Sequence, residues 1–251
     1  MLEFDKSLLP PPQFQIMKYT ARNFISIGRQ HLEAFINEAG LTPESHVLEI
    51  GAGNGRIASA VVPFLRNGSY TGVDIMKPFI KWLKSTYHKY PNARFEHINV
   101  FNKAYNKFSF RKAKNYKFKY KEASFDFIYL TSVFTHMHSE DIDNYLSEIS
   151  RMLKPGGKCF ITYFLIDEAT IKLIDQGKSK RAFKLYRENS YTDNPKNPEV
   201  AIAFNKDFVE GLYKKHRLSI EDLYLGRWRN PLELKKLTSN QDHIIAVKNA
   251  G

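Results

Sequence analysis

The chain has 251 residues, of which 43% are hydrophobic and 25% charged, the composition of a soluble globular protein with one sizeable core. No apolar run is long enough to span a bilayer, the first residues lack a secretory signal, and the single cysteine, Cys159, excludes a disulfide framework and a cysteine metal site. A net charge of +12 suits a nucleic acid, an acidic membrane surface or an anionic substrate, but the lysines are scattered over most of the chain, which favours a generally lysine-rich composition.

From these properties we expect a cytoplasmic protein without a membrane partner or a bound metal. We also expect a single domain over residues 1–251, with an N-terminal arm at residues 1–23 and an inserted cover segment at residues 166–204. The arm contains three consecutive prolines and an aromatic and basic stretch without a clean period. This pattern predicts an irregular arm or short helix, of the kind that closes over a bound cofactor.

A glycine-rich stretch follows the first predicted strand, residues 46–50. Glycines occupy positions 51, 53 and 55, and helical character resumes at Arg56, so we predict a strand, a tight turn and a helix. Glycine permits positive φ and close approach of a ligand to the backbone. A dinucleotide-binding turn would carry glycine at position 56 and no acid before its first glycine, whereas this chain has Arg56 and Glu49, which points to another cofactor.

A second strand is predicted over residues 69–74 and ends in Asp74, 19 residues beyond Gly55. An acid at this place in a doubly wound sheet can accept two hydrogen bonds from a ribose diol, whereas taken alone it could cap a helix. The combination of Glu49, the glycines and Asp74 is the more specific signal. A third strand at residues 94–98 ends next to Asn99.

Residues 103–121, which we call the basic segment, contain eight basic residues and no acid. Residues 116–121 alternate aromatic side chains with lysines, as an exposed strand or ribbon would. Basic residues interleaved with aromatics can bind single-stranded nucleic acid. The alternative is an edge strand whose solvated lysines guard against aggregation.

The remaining pattern predicts the fold class. Strands and helices alternate through a fourth strand at residues 125–130 and a fifth at 158–165, which predicts a parallel sheet with ligands at the carboxyl ends of its strands. Residues 166–204 have weak periodicity and many charges, which suits a mobile cover over those ends. Two last strands, at 218–225 and 243–248, complete an α/β fold: a Rossmann-like seven-stranded sheet, mostly parallel with an antiparallel last strand and helices on both faces.

Together these features resemble the class I S-adenosylmethionine-dependent methyltransferases over about residues 24–250. The pattern Glu-x-Gly-x-Gly-x-Gly at residues 49–55 is similar to their cofactor loop. More narrowly, four stretches resemble a group of bacterial small-molecule methyltransferases: residues 130–137, 145–157, 197–204 and 241–248. The resemblance implies S-adenosyl-L-methionine as cofactor, S-adenosyl-L-homocysteine as product and a small-molecule acceptor.

The resemblance also implies which residues hold the cofactor. They are Glu49 with the loop residues Gly51, Ala52 and Gly53 at the methionyl end, Asp74 at the ribose, Ile75, Asn99 and Val100 around the adenine, and Thr131 near the sulfonium. The chain departs from the pattern in two places, because many relatives carry Asp at the position of Asn99 and a glycine soon after Trp228. The Asn/Asp-Pro-Pro-Tyr/Phe tetrapeptide of nucleobase and amide methyltransferases is absent after the fourth strand, which argues against those acceptors.

We therefore expect an enzyme that moves a methyl group to an oxygen or nitrogen atom of a small molecule. One alternative is a methyltransferase that acts on a nucleic acid or protein recruited by the basic segment, and another is a non-catalytic S-adenosylmethionine-binding module. A nicotinamide dehydrogenase is less compatible with Arg56.

His136 is the candidate catalytic residue, since it lies six residues past Leu130, on the rim where an acceptor should sit. A histidine there can take the proton of a hydroxyl acceptor near neutral pH. The alternative is a structural role in which His136 fixes the turn into the next helix by a hydrogen bond to the backbone, while His138 is simply exposed.

Overall fold

The computed structural model describes residues 4–15, 20–230 and 239–250. Residues 16–19 of the predicted arm and residues 231–238 of the predicted link between the last two strands lie outside this part. Eleven strands follow one another along the described chain: β1 (His46–Ile50), β2 (Ser69–Asp74), β3 (Ala93–His97), β4 (Phe125–Leu130), β5 (Leu153–Tyr163), β6 (Leu165–Ile166), β7 (Lys184–Arg187), β8 (Ser190–Thr192), β9 (Ile202–Asn205), β10 (Leu218–Tyr224) and β11 (Asp242–Lys248).

The described α-helices are α1 (Ala21–Asn37), α2 (Ala58–Phe64), α3 (Lys77–Thr86), α4 (Ser139–Met152), α5 (Glu168–Asp175) and α6 (Lys206–Lys215). None of them is long and apolar enough to cross a membrane. The arm contributes two short 3₁₀ turns, Lys6–Leu8 and Pro12–Phe14.

Seven strands form the main sheet in the order β10, β11, β5, β4, β1, β2, β3. Strand β11 is antiparallel to both of its neighbours, and the other pairs are parallel. The predicted fold class is therefore confirmed. The expected arrangement as one domain over residues 1–251 stays a prediction.

Helices cover the main sheet on both faces, because successive residues of a strand point to opposite sides. Val47 packs in the apolar core beneath α1, α2 and α3, whereas its neighbour Leu48 packs in the core beneath α4 and α6. Phe35 of α1 shows how closely the first core is filled, since its ring centroid lies 4.7–5.0 Å from those of Phe127, Tyr129 and Phe160. Burial of such a side chain contributes roughly 2–3 kcal/mol.

The cover segment is more regular than its weak periodicity suggested. Four short strands form a second sheet in the order β6, β9, β8, β7, and α5 begins after Asp167, whose side chain caps it. Phe164, Phe183 and Trp228 form the centre of a small core at this sheet, with ring centroids 5.2–5.4 Å apart. Strands of two to four residues are too short to produce a visible hydrophobic period.

In the basic segment, the alternation of residues 116–121 is real but the predicted strand is wrong. The Phe118 N–H donates to Glu148 Oε2 at 2.8 Å, and Arg151 donates to the carbonyl oxygens of Phe118 and Tyr120 at 3.0 and 2.7 Å. Side chains of α4 thus replace a neighbouring strand. The aromatic rings turn inward, with Phe118 buried, so they do not offer faces to stacked bases.

Candidate active site

The glycine loop, residues 51–57, joins β1 to α2 at the carboxyl edge of the main sheet. Gly51, Gly53 and Gly55 have φ angles of +90°, +51° and +75°, which side chains rarely tolerate. The N–H groups of Gly51 and Ala52 both donate to the Val73 carbonyl oxygen, at 2.8 and 3.0 Å. The loop is therefore fastened to the end of β2.

Asp74 lies at the end of β2 and is joined to the glycine loop. One carboxylate oxygen accepts the Gly53 N–H and the other accepts the Met76 N–H, each at 2.7 Å. Burial raises the pKa of Asp74, and these two donors oppose the shift. Because a carboxylate oxygen has two lone pairs, each oxygen can accept one further hydrogen bond from a ligand.

Glu49 lies beneath the glycine loop rather than in it. Its side chain is fully buried and accepts the hydroxyl hydrogen of Tyr70, in the core that faces α1 to α3. Burial raises the pKa of Glu49 to about 7, and the hydrogen bond from Tyr70 opposes this shift. Glu49 therefore supports the glycine loop from within the core and does not line its surface.

The predicted adenine residues have different surroundings. Ile75 is half-buried and Val100 is buried in the core beneath α4 and α6. Asn99 is exposed, and its Oδ1 accepts a hydrogen bond of 3.0 Å from Asn106 of the basic segment. The amide at position 99 is thus held by a residue that sequence reasoning did not connect with it.

The N-terminal arm reaches the glycine loop. The Asn54 side-chain amide donates to the Phe14 carbonyl oxygen at 3.3 Å, and the Phe14 ring packs against Phe79 and Trp82 of α3, with centroids 5.5 and 5.7 Å away. The described part of the arm therefore lies beside the loop.

The segment after β4 touches the glycine loop from the other side. A Cβ atom on Gly51 would collide with Val133 Cγ2, so Gly51 and the residues after Thr131 lie in direct contact. Ser132 has a φ of +56°, a strained value for serine. Its N–H donates to Thr162 Oγ1 at 2.8 Å and its hydroxyl to Gln241 Oε1 at 3.0 Å, which holds this conformation in place.

His136 lies in a 3₁₀ turn after β4 and contacts the cover segment. Its Nδ1 lies 2.7 Å from the backbone oxygen of Glu199, and Asn102 donates to the His136 carbonyl oxygen at 3.4 Å. A carbonyl oxygen only accepts, so Nδ1 carries the hydrogen and Nε2 keeps its lone pair. Burial lowers the pKa of His136, which favours the neutral ring.

His138 is not simply exposed, as the alternative interpretation expected. It is half-buried, its Nε2 lies 3.6 Å from Glu199 Oε1, and its ring stacks on Tyr186. The predicted backbone hydrogen bond of His136 exists, but it joins the cover segment and not the turn into α4.

The last loop is tied to the main sheet by Asp242, which is fully buried. Its carboxylate accepts the N–H groups of Gly226 and Leu165 at 2.7 Å each and the Trp228 indole N–H at 2.9 Å. Next to Trp228, Arg229 pairs with Asp167 at 2.5 Å. The unusual sequence after Trp228 thus serves contacts between the last loop and the cover segment.

The structure brings the glycine loop, Asp74 and the segment after Thr131 together at one edge, with His136 nearby under the cover. It does not bring Glu49 or Val100 to the surface of that edge. Sequence reasoning missed four contributing residues: Tyr70, Ser132, Glu199 and Asp242. Only Tyr70 had a local signal, as a polar group within a buried strand, since the others act through partners far away in the chain.

Residues 48–161 match the model of the family described as Methyltransferase domain. An O-methyltransferase of Pyrenophora dematioidea is 26% identical over 144 residues, which are 57% of this chain and 48% of that protein. The chain spans about half the length of the curated relatives it matches.

Solved structures show the same fold. A SAM-dependent methyltransferase from Methanosarcina mazei superposes with a TM-score of 0.58 at 21% identity, covering 86% of this chain and 98% of that one. The 1,6-didemethyltoxoflavin-N1-methyltransferase of Burkholderia thailandensis, solved with 1,6-didemethyltoxoflavin and S-adenosylhomocysteine, gives a TM-score of 0.52 at 17% identity, covering 91% and 87%.

The sheet order, the glycine loop after the first strand and the carboxylate that ends the second define, with these matches, a class I S-adenosylmethionine-dependent methyltransferase fold. The chain has this fold, and residues 48–161 match the family model described as Methyltransferase domain. The residues present fit the cofactor S-adenosylmethionine, because the loop backbone is free of side chains at three positions and both Asp74 oxygens retain a lone pair for a diol.

Proposed function

We propose that the protein transfers a methyl group from S-adenosylmethionine to an oxygen or nitrogen atom of a small molecule. One observation carries this proposal: three features lie together at one edge of the sheet. They are the glycine loop, which is bonded to Asp74, the turn at Ser132 after β4, and His136, which contacts the cover segment. The names of the relatives, an O-methyltransferase and an N1-methyltransferase of a small heterocycle, agree with it.

The cofactor would be held mainly by backbone and by one carboxylate. Gly51, Ala52 and Gly53 would border its methionyl end, Asp74 its ribose hydroxyls, and Thr131 its reactive end. Ile75, Asn99 and Val100 would shape the adenine side, with Val100 acting through packing because it is buried. Glu49 would act by holding the loop through Tyr70.

When bound, S-adenosylmethionine supplies an electrophilic methyl group whose leaving group is a neutral thioether. The protein must therefore align the acceptor and exclude water. The cover segment, the arm and the Ser132 turn surround the edge where this alignment would occur. An amine acceptor that is already neutral needs only this positioning, whereas a hydroxyl acceptor also needs a base.

His136 is our candidate for that base. The Glu199 carbonyl fixes its Nδ1–H tautomer, and its Nε2 lone pair is available for a proton. Because burial lowers its pKa, the ring is neutral at pH 7 and able to accept the acceptor's proton.

Incubation of the purified protein with methyl-labelled S-adenosylmethionine and a cell metabolite extract tests the transfer. We expect label in a small molecule, identified by mass spectrometry, and none in nucleic acid or protein fractions. Bound cofactor without any labelled product would instead favour a non-catalytic S-adenosylmethionine-binding module. Label in the nucleic acid or protein fraction would favour a methyltransferase that recruits such a substrate through the basic segment.

The His136→Gln variant tests the base, because glutamine keeps a hydrogen bond but cannot take the proton. We expect turnover to fall by roughly 100-fold, with cofactor affinity and melting temperature nearly unchanged. In the wild type, kcat/KM should fall as the pH drops through the lowered pKa of His136, and this limb should vanish in the variant. His138→Gln is the control, for which near-normal turnover is expected; parallel losses of stability and activity in His136→Gln would show a structural role.

A further inference from the structure

The first part of the basic segment exposes two phenylalanines almost completely. Phe108 and Phe110 are 82% and 98% exposed, the largest values among the large hydrophobic side chains of the described chain. Both belong to residues 101–112, which we call the aromatic loop. Single exposed apolar residues are common, but two strongly exposed phenyl rings two residues apart indicate an interaction site.

The aromatic loop is held in shape by hydrogen bonds. The Phe101 N–H donates to the Arg111 carbonyl oxygen at 2.8 Å and closes the loop. Between the two phenylalanines, Ser109 is buried and its hydroxyl donates to the Asn99 carbonyl oxygen at 2.9 Å. Ser109 is thus anchored inward while its two neighbours, Phe108 and Phe110, are exposed.

Cations surround these rings. Lys107, Arg111, Lys112 and Lys114 are exposed, and none of them forms an ion pair within the described residues. Phe110 lines one open groove together with Arg111, Lys112 and Lys114. The two phenylalanines and the cations around them are complementary to a surface that has anionic groups on the outside and apolar groups beneath them.

A bilayer fits this arrangement better than a nucleic acid. A stacked base needs a ring held in a fixed orientation, whereas Phe110 is 98% exposed and makes almost no packing contact that could fix its ring. One face of Phe108 is already approached by the Lys107 ammonium, 5.3 Å from the ring centroid. Of the segment's other aromatics, Phe118 is buried and Tyr116 and Tyr120 pack against the core, while the Tyr105 ring packs edge-on against that of His136, with centroids 5.8 Å apart.

We propose that the aromatic loop docks the protein on an anionic lipid bilayer, with Phe108 and Phe110 inserted among the acyl chains and the surrounding cations at the headgroups. This inference replaces the expectation, drawn from the lack of a membrane span, that the protein has no membrane partner. It does not depend on the proposed methyl transfer.

Co-sedimentation of the full chain with lipid vesicles tests the proposal. We expect binding to vesicles of phosphatidylcholine with phosphatidylglycerol at least about tenfold tighter than to phosphatidylcholine alone. The double variant Phe108→Ser/Phe110→Ser and the triple variant Lys107→Gln/Lys112→Gln/Lys114→Gln should each weaken binding by about tenfold or more.

Two matched controls separate the loop from general surface properties. Leu185→Ser removes another strongly exposed apolar side chain, and Lys77→Gln/Lys81→Gln/Lys84→Gln removes the same charge from α3. Neither should change vesicle binding by more than about twofold. Calorimetry with S-adenosylhomocysteine should give wild-type affinity for every variant, which shows that each one is folded and keeps the question of methyl transfer separate.

Fluorescence anisotropy with a single-stranded oligothymidine provides the opposing outcome. Tight oligonucleotide binding that is lost in the phenylalanine variant, without a preference for anionic vesicles, would assign the loop to nucleic acid and overturn the proposal. Vesicle binding that the phenylalanine variant retains in full would also overturn it, since charge alone would then explain the interaction.

Discussion

The proposed cofactor side of the site, formed by the glycine loop and Asp74, and the proposed acceptor side, formed by His136, the cover segment and the last loop, are held together over very different distances along the chain. On the cofactor side, the bonds of Gly53 with Asp74 and of Tyr70 with Glu49 each join residues 21 positions apart. On the acceptor side, the bonds of Asp242 with Leu165, His136 with Glu199 and Arg229 with Asp167 span 77, 63 and 62 positions. The cofactor side is thus nearly one local strand-turn-helix-strand unit, whereas the acceptor side exists only when distant segments meet.

Mutations on the two sides should therefore impair different properties of the protein. Changes on the cofactor side should weaken cofactor binding first, and changes on the acceptor side should reduce stability or turnover while cofactor affinity persists.

Gly53→Val should have the largest effect, because a branched side chain resists the φ of +51° and occupies space beside the backbone that borders the cofactor. We expect S-adenosylmethionine affinity to fall at least about 100-fold, measured by calorimetry. Gly40→Val is the matched control, because Gly40 also has positive φ, +72°, but no atom within 4 Å of an added Cβ. Equal losses in the two variants would mean that strain, and not the loop's contact with cofactor, explains the result.

Asp242→Ala should destabilise the acceptor side of the site. It leaves the N–H groups of Gly226, Leu165 and Trp228 without their acceptor, at a cost of about 3 kcal/mol, or roughly 6–12 °C in melting temperature. At temperatures where the variant is folded, cofactor affinity should stay within about threefold of wild type while turnover falls. A cofactor affinity that drops as far as turnover would contradict the separation of the two sides.

Asp74→Ala should weaken S-adenosylmethionine binding by roughly 1.5–3 kcal/mol, about 10- to 150-fold, because two hydrogen bonds from the ribose would be lost. A ribose role further requires that the wild type prefer S-adenosylhomocysteine over its dideoxyribose analogue and that the variant lose this preference. Asp126→Ala, at the opposite end of the parallel strands, should leave affinity unchanged. An Asp74→Ala affinity within twofold of wild type would refute the assignment.

Glu49→Gln should change stability in a pH-dependent way while keeping an acceptor for the Tyr70 hydroxyl. The pKa of Glu49 rises from its usual 4.5 to about 7 in the folded protein, so the native state binds this proton more tightly than the unfolded chain does. The free energy of unfolding therefore falls as pH rises from about 4.5 to about 7 and stays low above that. The variant removes this loss, so it should be more stable than wild type by up to about 3 kcal/mol near pH 8 and nearly indistinguishable from it near pH 4. Thermal melts of both proteins at the two pH values test this prediction. If the variant were less stable than wild type at the higher pH, the Glu49 carboxylate would be better stabilised in the folded protein than its burial implies.

Particular elements show where prediction from the sequence succeeded and where it failed. Asp74 and the glycines were predictable because each lies at the end of a strand with a strong pattern, and the parallel sheet brings such ends to one edge. The strand predicted at residues 116–121 failed because an alternating pattern shows which side chains face inward but not what pairs with the backbone. There the partners are Glu148 and Arg151, about thirty residues away.

The sequence by itself determined the fold class, the sheet's antiparallel last strand and the position of the glycine loop, because period-two and helical patterns, glycines and strand-end acids act over a few residues. Only the tertiary structure decided that Glu49 lies beneath the loop, that Glu199 fixes the His136 tautomer and that Phe108 and Phe110 point into solvent. Each of these depends on a hydrogen bond or packing contact with a partner elsewhere, and such contacts leave no local periodicity in the amino-acid sequence.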